Sequence, residues 1–378
     1  MHVEDLIRPP SELGLDPDRL TLAERLIKQG VTDGFYPAAT YAILRHGYIA
    51  CHGAMGQPQP DNAPQLQTQF DTIFDMASLT KPFTATLLLI AVEHGLIHLN
   101  QPVKDLLPVR ELMPHTGDSP VGAVPIRMLA THTSGLPPWR PLYEAKAPTP
   151  VGEILSLPLE AEPGTRYAYS DLGYILIGEI LHRLYGKPLD VLLQEHIARP
   201  LGMTRTGYRP DAALHPHIAA TRHCPWRGPE KILIGEVHDA NAWKLHGIAG
   251  HAGIFSNVPD MIRFALALRQ PSTASQLGIR PVIRTMARKL AEQNQVDPTV
   301  GGHSIGWFTP PNGMLPRGDL LSIRSFGHTG FTGTSLLFDL ETDLTLLLLT
   351  NRVYSNADGT GVLRLRRMLA NVVAGAVR

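Results

Sequence analysis

Hydrophobic and polar positions divide this 378-residue chain into three regimes. In the first, Leu20, Leu22, Ala23, Leu26 and Ile27 share one broad face of a helix predicted over 16–30, with Gly30 as its stop. Two apolar runs follow, 37–44 and 48–51, around the turn Arg45-His46-Gly47, and this pattern predicts a β-hairpin. The proline- and glutamine-rich segment 57–69 reads as an exposed loop. The second regime is helical, with almost no strand signal: 78–94 closed by Gly95, 126–132 stopped by Thr133-Ser134-Gly135-Leu136-Pro137, 174–185 capped by Gly186, and 189–197. In the third, strands return. The segment 250–255 is short and glycine-rich, 259–268 is helical, and the apolar runs 334–338 and 344–349 flank a turn at 339–343. A last amphipathic helix spans 362–377, with Arg364, Arg366 and Arg367 predicted on its exposed face.

Strands at both ends and helices between them imply an α+β chain. An antiparallel sheet would be assembled from the two termini and flanked by helices, with an all-helical lobe inserted. In residue terms, 1–75 with 250–378 would form the sheet lobe and 76–249 the helical lobe, leaving a groove between them for a site.

Composition narrows the function classes. Thirty-four basic and thirty-four acidic residues cancel, so the totals point neither to nucleic acid nor to an anionic membrane as partner. No apolar run approaches the length of a membrane span. The N-terminus is acidic and lacks the basic and apolar regions of a secretory signal, so a cytoplasmic location is expected. Two cysteines, Cys51 and Cys224, make no disulfide framework. The densest histidine cluster, His215, His217, His223 and His238 with Cys224, fits no metal-ligand spacing, so neither a metal nor another cofactor is expected.

Chemistry concentrates in three stretches. In Ser78-Leu79-Thr80-Lys81, positions i and i+3 of a helix share a face, so hydroxyl and amine can touch. Pro82 is tolerated in a first helical turn, which places the helix start near Ser78 and puts the hydroxyl at the positive end of the dipole. A capping serine would give the same pattern. In Tyr169-Ser170-Asp171, a phenol and a carboxylate precede a helix; a tyrosine beside two cations can be held as phenolate and act as a base, while a capping role would also account for the stretch. The third, Phe326-Gly327-His328-Thr329-Gly330-Phe331, opens a strand whose glycines allow close backbone approach and whose N–H groups can donate to an oxyanion.

Together and in this order, the three stretches resemble the serine β-lactamase and penicillin-binding-protein superfamily, in its class C β-lactamase, DD-peptidase and esterase branch. Ser78-Leu79-Thr80-Lys81 matches S-x-x-K, Tyr169-Ser170-Asp171 occupies the Y-x-N position, and His328-Thr329-Gly330 the K-T-G position. Leu129 to Pro137, Pro163-Gly164 and Pro200-Leu201-Gly202-Met203 also look like this family, so the resemblance runs from about Tyr36 to the C-terminus. It implies the β-lactamase/DD-peptidase fold, Ser78 as acylated nucleophile, Lys81 and Tyr169 as the proton-transfer system, and the N–H groups of Ser78 and Phe331 as oxyanion hole. Thr329 and Gly330 would line the substrate. His328 would stand where a lysine supports Tyr169 and a substrate carboxylate.

Two positions depart from the pattern. Asp171 replaces asparagine and, when ionised, only accepts, which suits Lys81 or a substrate ammonium. His328 replaces lysine, so carboxylate recognition there would be weaker or pH-dependent. A fourth stretch, 235–256, resembles a signature of cell-wall-linked members. It makes His238, Asp239, Asn241 and His251 candidate substrate contacts, or alternatively the ties that fix an inserted loop. The expected activity is a serine hydrolase acting on a small ester or amide. The alternatives are an amidase or DD-carboxypeptidase of cell-wall recycling, a penicillin-binding protein with little β-lactam turnover, and a non-catalytic scaffold. A cytoplasmic location counts against a cross-linking transpeptidase.

Overall fold

Helix α1 (Pro17–Thr32) is capped by Asp16, whose Oδ1 accepts from the Asp18 N–H at 3.0 Å. It continues past Gly30, contrary to the stop read from the sequence. A Cβ at Gly30 would come within 2.5 Å of Tyr36 Cζ, and the Tyr36 hydroxyl donates to the Ile27 carbonyl at 2.8 Å. Gly30 therefore permits a close approach rather than ending the helix.

The computed structural model describes residues 3–112, 119–144, 149–224, 226–228, 230–355 and 359–378. After α1 come the hairpin strands β1 (Ala38–Arg45) and β2 (Tyr48–Gly56), the short strand β3 (Phe74–Asp75) and helix α2 (Thr80–Glu93). Helix α3 (Asp171–Tyr185), strands β4 (Gly207–Tyr208) and β5 (Ile254–Ser256) and helix α4 (Val258–Arg269) follow. Strands β6 (Ser325–Thr329), β7 (Ser335–Asp339) and β8 (Leu344–Thr350) lead to helix α5 (Thr360–Ala374). The chain is thus α+β, with a five-stranded antiparallel sheet in the order β2-β1-β8-β7-β6.

Both faces of that sheet are covered, which is why its strands read as unbroken apolar runs. Tyr41, Ile43, Leu346 and Leu348 point into a core shared with Ile27 of α1 and Leu365, Leu369 and Val373 of α5. Their neighbours Ala42, Leu44, Leu347 and Leu349 point the other way, into a larger core with Leu88 of α2, Leu176 of α3 and Phe264 of α4. Helix α2 is buried on every side from Thr80 to Ala91, so its apolar composition is that of a central helix rather than a surface one.

Four local readings change. The helical middle contributes one short strand, β4, which joins β5 and, through it, β3 in a small antiparallel sheet. His328 and Thr329 end strand β6, and the turn at 330–334 connects it to β7, so this stretch closes a strand as well as opening one. The 57–69 loop is anchored by buried Gln59, whose amide donates to the His215 and Ile218 carbonyls at 2.7 and 2.9 Å. Arg366 is buried, unlike exposed Arg364 and Arg367, because it follows Val362 by four residues on the inward stripe of α5. Cys51 and Cys224 are unpaired. Among the described residues no helix is long and apolar enough to cross a membrane.

Candidate active site

Ser78 sits in a tight elbow between β3 and α2. Ala77, just before it, has a positive φ of 45°, a strained conformation for a residue with a Cβ. The elbow is held from three sides. Asp75 Oδ1 accepts from the Ala77 N–H at 2.8 Å, Thr332 Oγ1 donates to the Asp75 carbonyl at 2.7 Å, and Thr334 Oγ1 donates to the Met76 carbonyl at 3.1 Å. Burial raises the Asp75 carboxyl to about 6 against hydrogen bonds from the His238 and Ala77 N–H groups. Gly330 closes against this elbow, where a Cβ would meet the Thr334 hydroxyl and come within 2.5 Å of the Met76 carbonyl.

Lys81 is fully buried, and its Nζ donates to Ser78 Oγ at 2.8 Å and to the His251 carbonyl at 3.3 Å. The Asp171 carboxylate completes its surroundings with an ion pair at 2.7 Å. Asp171 opens α3, where the helix dipole favours a negative charge. The Lys81 ammonium also lies 4.8 Å from the centre of the Tyr169 ring. Burial, followed by the nearby Asp171 charge, holds the Tyr169 phenol well above its ordinary pKa, opposed by a hydrogen bond with Ser78. Tyr169 is therefore a neutral phenol in the free protein. The two groups beside it give a phenolate little support, since Lys81 is matched by Asp171 and burial disfavours the charged form of His328.

His328 is buried and stacked on Phe308 at 4.3 Å, with Nδ1 bonded to the Thr329 carbonyl at 2.9 Å. Burial, Lys81 and His303 together hold it well below the usual histidine pKa. It supports Tyr169 by packing, with ring centres 5.9 Å apart, and does not line the cavity.

Two further histidines complete the support. His132 accepts from the Ser170 N–H at Nδ1 (3.0 Å), its carbonyl accepts from the Ala168 N–H (2.9 Å), and its ring lies 4.4 Å from that of Tyr169. It thus holds the tyrosine loop on both sides, a role not read from the sequence although His132 lies in one of the family-like stretches. His303 stands 4.6 Å from His132, and burial depresses its pKa to about 3.

These groups floor a cavity of about 730 Å³ lined by Ser78, Tyr169, Asp171, Thr329, Gly330 and Phe331. Trp139, Tyr143, Trp226 and Phe308 make much of its wall aromatic, and Arg352 and Arg366 line it as cations. Its size suits a small organic ligand. Among the described residues no group of three or more His, Cys, Asp or Glu could hold a metal ion.

A family model described as Beta-lactamase matches residues 23–370. The chain belongs to the beta-lactamase family. This is a family of serine hydrolases, with relatives named as a carboxypeptidase and an amidase. The beta-lactamase-family chain is 29% identical over 378 aligned positions to a provisionally named D-alanyl-D-alanine carboxypeptidase of Escherichia coli (strain K12), covering 92% of this chain and 85% of that one. It is also 29% identical over 374 positions to an N-acetylmuramyl-L-alanine amidase of Bacillus subtilis (strain 168), covering 89% and 82%. Among solved structures, EstCE1, a hydrolase with promiscuous acyltransferase activity, superposes with a TM-score of 0.74 at 21% identity over 93% of this chain and 98% of its own.

Within this beta-lactamase-family site the stretch 235–256 divides. Asp239 and His238 line the cavity. Asp239 also caps the short helix Ala240–Lys244 and bonds His251 Nε2 at 2.8 Å; burial would raise its carboxyl, but the His251 ring and the Ala242 N–H outweigh it and hold it low. His238 donates its backbone N–H to Asp75 Oδ2 at 2.8 Å, so it also steadies the elbow. Asn241 and His251 are buried away from the cavity lining. Asn241 accepts from the Leu142 N–H and donates to the Arg140 carbonyl, both at 2.9 Å, tying down the loop that carries Trp139.

Proposed function

We propose that the chain is a serine hydrolase acting through a covalent acyl-enzyme on a small ester or amide, with D-amino-acid peptides and muropeptide amides as its amide class. The observation that carries this reading is the 2.8 Å contact between Ser78 Oγ and Lys81 Nζ on a cavity floor shared with Tyr169. Ser78 Oγ bonds to the substrate carbonyl carbon, and its proton passes into the Lys81–Asp171–Tyr169 group. The N–H groups of Ser78 and Phe331 take the developing oxyanion. The bond to the leaving oxygen or nitrogen breaks as that atom receives a proton, for which the neutral Tyr169 phenol is the donor. Water then attacks the acyl-enzyme, the same groups move its proton, and Ser78 is released. The named carboxypeptidase and amidase relatives support an amide substrate, and the fold neighbour EstCE1, a hydrolase with promiscuous acyltransferase activity, supports acyl transfer on this scaffold.

The test is to expose wild type and Ser78→Ala to a fluorophosphonate, a fluorescent penicillin and p-nitrophenyl esters. Ser78-dependent labelling with ester turnover is the expected result. Stable penicillin labelling without turnover of any acyl donor would identify a binding protein instead. No Ser78-dependent reaction with any probe would leave only a scaffold.

A further inference from the structure

Asp75, the last residue of β3, is a carboxylate only 2% exposed and set behind the cavity lining. It joins three segments that do line the cavity. Its Oδ1 accepts from the Ala77 N–H in the Ser78 elbow and its Oδ2 from the His238 N–H, both at 2.8 Å. Its backbone carbonyl accepts from Thr332 Oγ1, in the turn after β6, at 2.7 Å. The two side-chain contacts call for the ionised form. A carboxylate offers an acceptor on each oxygen, whereas a protonated carboxyl, or an amide in its place, keeps one full acceptor and turns a donor toward the other N–H. A buried N–H that loses its acceptor is costly, so the segment bearing it is driven to shift.

Both N–H groups sit where the chemistry is placed. Ala77 holds a strained φ of 45° immediately before the nucleophile, and such a conformation persists only while its surroundings enforce it. The bond from its N–H to Asp75 is one of those constraints. The His238 N–H bond fixes a residue whose ring lies 5.9 Å from that of Phe331, and whose neighbour Asp239 lines the cavity. Burial raises the Asp75 carboxyl to about 6 against these two hydrogen bonds, and the Asp239 charge adds to the rise. Among the described residues the other titratable groups around it are the Cys224 thiol and His238, both kept toward their neutral forms by burial. Beyond them, Arg352 acts on His238 and Lys81 on Asp239.

We propose that Asp75 is a positioning residue: its carboxylate holds the Ser78 elbow and the His238–Asp239 segment in the arrangement that acylation needs, and neutralising it releases both. The site then gains acylation rate as pH rises through about 6. The inference rests on the reading of Ser78 as the acylated nucleophile.

The test is the rate of fluorophosphonate labelling at Ser78 from about pH 5 to about pH 8 in wild type, Asp75→Asn and Thr332→Val, with Ser78→Ala as blank. Unfolding is followed at each pH so that only folded protein is compared. Wild type is expected to label at least about tenfold faster at the upper end than at the lower, with a midpoint near 6. Asp75→Asn, which carries the neutral imbalance at every pH, should match the slow wild-type rate throughout and lack the midpoint. Thr332→Val removes a contact that does not titrate, so it should label more slowly and keep the midpoint. In wild type the Ala77 and His238 amide resonances should titrate together at the midpoint of the labelling rate, a reading that does not depend on any variant folding. A merely structural role for Asp75 would lower the stability of Asp75→Asn and leave its midpoint in place, which overturns the proposal. So does a wild type that labels equally at both ends of the range, or amides that titrate elsewhere. No Ser78-dependent labelling at any pH would instead overturn the hydrolase reading.

Discussion

Asp171 Oδ1 lies 2.7 Å from Lys81 Nζ, the same amine that donates to Ser78 Oγ at 2.8 Å. The carboxylate that replaces the family's usual asparagine is therefore a partner of the amine before it can be a partner of substrate. Lys81 is wholly buried and Asp171 is 19% exposed, so removing the carboxylate strands an ammonium in the interior. Asp171→Asn is expected to lower unfolding stability by about 3 kcal/mol, near the low end for breaking a buried pair. Urea unfolding at neutral pH measures this, and an unchanged midpoint would show that the pair contributes nothing.

Three histidines under Tyr169 make the fold acid-sensitive. His132 and His328 are held neutral by burial, and His303 is pushed down to about 3. An unfolded chain protonates each as pH falls through about 6.5, whereas the folded chain does not. Their contribution is complete above that pH and declines below it, with a slope approaching about 1.4 kcal/mol per pH unit per histidine. Asp75, raised to about 6, acts in the opposite direction between roughly pH 4 and 6 and offsets about one histidine. These four groups leave a slope of roughly 3 kcal/mol per unit in that window. Unfolding curves at several pH values should show it, with His303→Phe making it shallower; a flat profile would contradict the burial-driven shifts.

Gly330 is where two halves of the site touch. A methyl group there would collide with the Thr334 hydroxyl and the Met76 carbonyl, pushing the β6–β7 turn away from the Ser78 elbow. Gly330→Ala should slow fluorophosphonate labelling of Ser78 by at least about tenfold, since displacements near 1 Å cost that much or more. A normal labelling rate would mean the turn can yield.

Asn241 distinguishes support from contact. Its amide satisfies Leu142 and Arg140 and does not line the cavity. Asn241→Ala should cost about 2–3 kcal/mol, the order of two buried hydrogen bonds. Ester turnover measured well below the melting temperature should change less than stability does. A lowered kcat/KM at unchanged melting temperature would make Asn241 a substrate contact after all.

The sequence already carried the local part of this site. The i, i+3 spacing of Ser78 and Lys81 needs only one helical turn, and Pro82 marks where that turn starts. The sheet was legible because runs such as Leu344 to Leu349 can hardly be anything but strands between two apolar layers. Arg366 was misread because its charge outweighed its position, although the stripe of Val362, Leu365, Leu369 and Val373 gave that position away. The grouping of His132, His303 and His328 was invisible for another reason. Each belongs to a different segment, and only the tertiary fold sets His132 against His303 at 4.6 Å. Asp75 was passed over because its signal, two accepted backbone hydrogen bonds, has no trace in composition.

Strand β1 pairs with β8, Ala42 lying opposite Leu347, so two adjacent inner strands of the large sheet come from distant parts of the chain. During synthesis on a ribosome, β1, β2 and the largely apolar α2 emerge long before the strand that covers them. Such late, non-local closure is slow and leaves sticky surface uncovered in the meantime. A nascent chain stalled before residue 344 should be cleaved by a non-specific protease throughout 38–93, and resistance there would show an early core that does not wait for β8. Until β6 and β7 are made, Ser78 and Lys81 have no Gly330 turn to close on them, so the site at Ser78 is completed only by strands synthesised long after it.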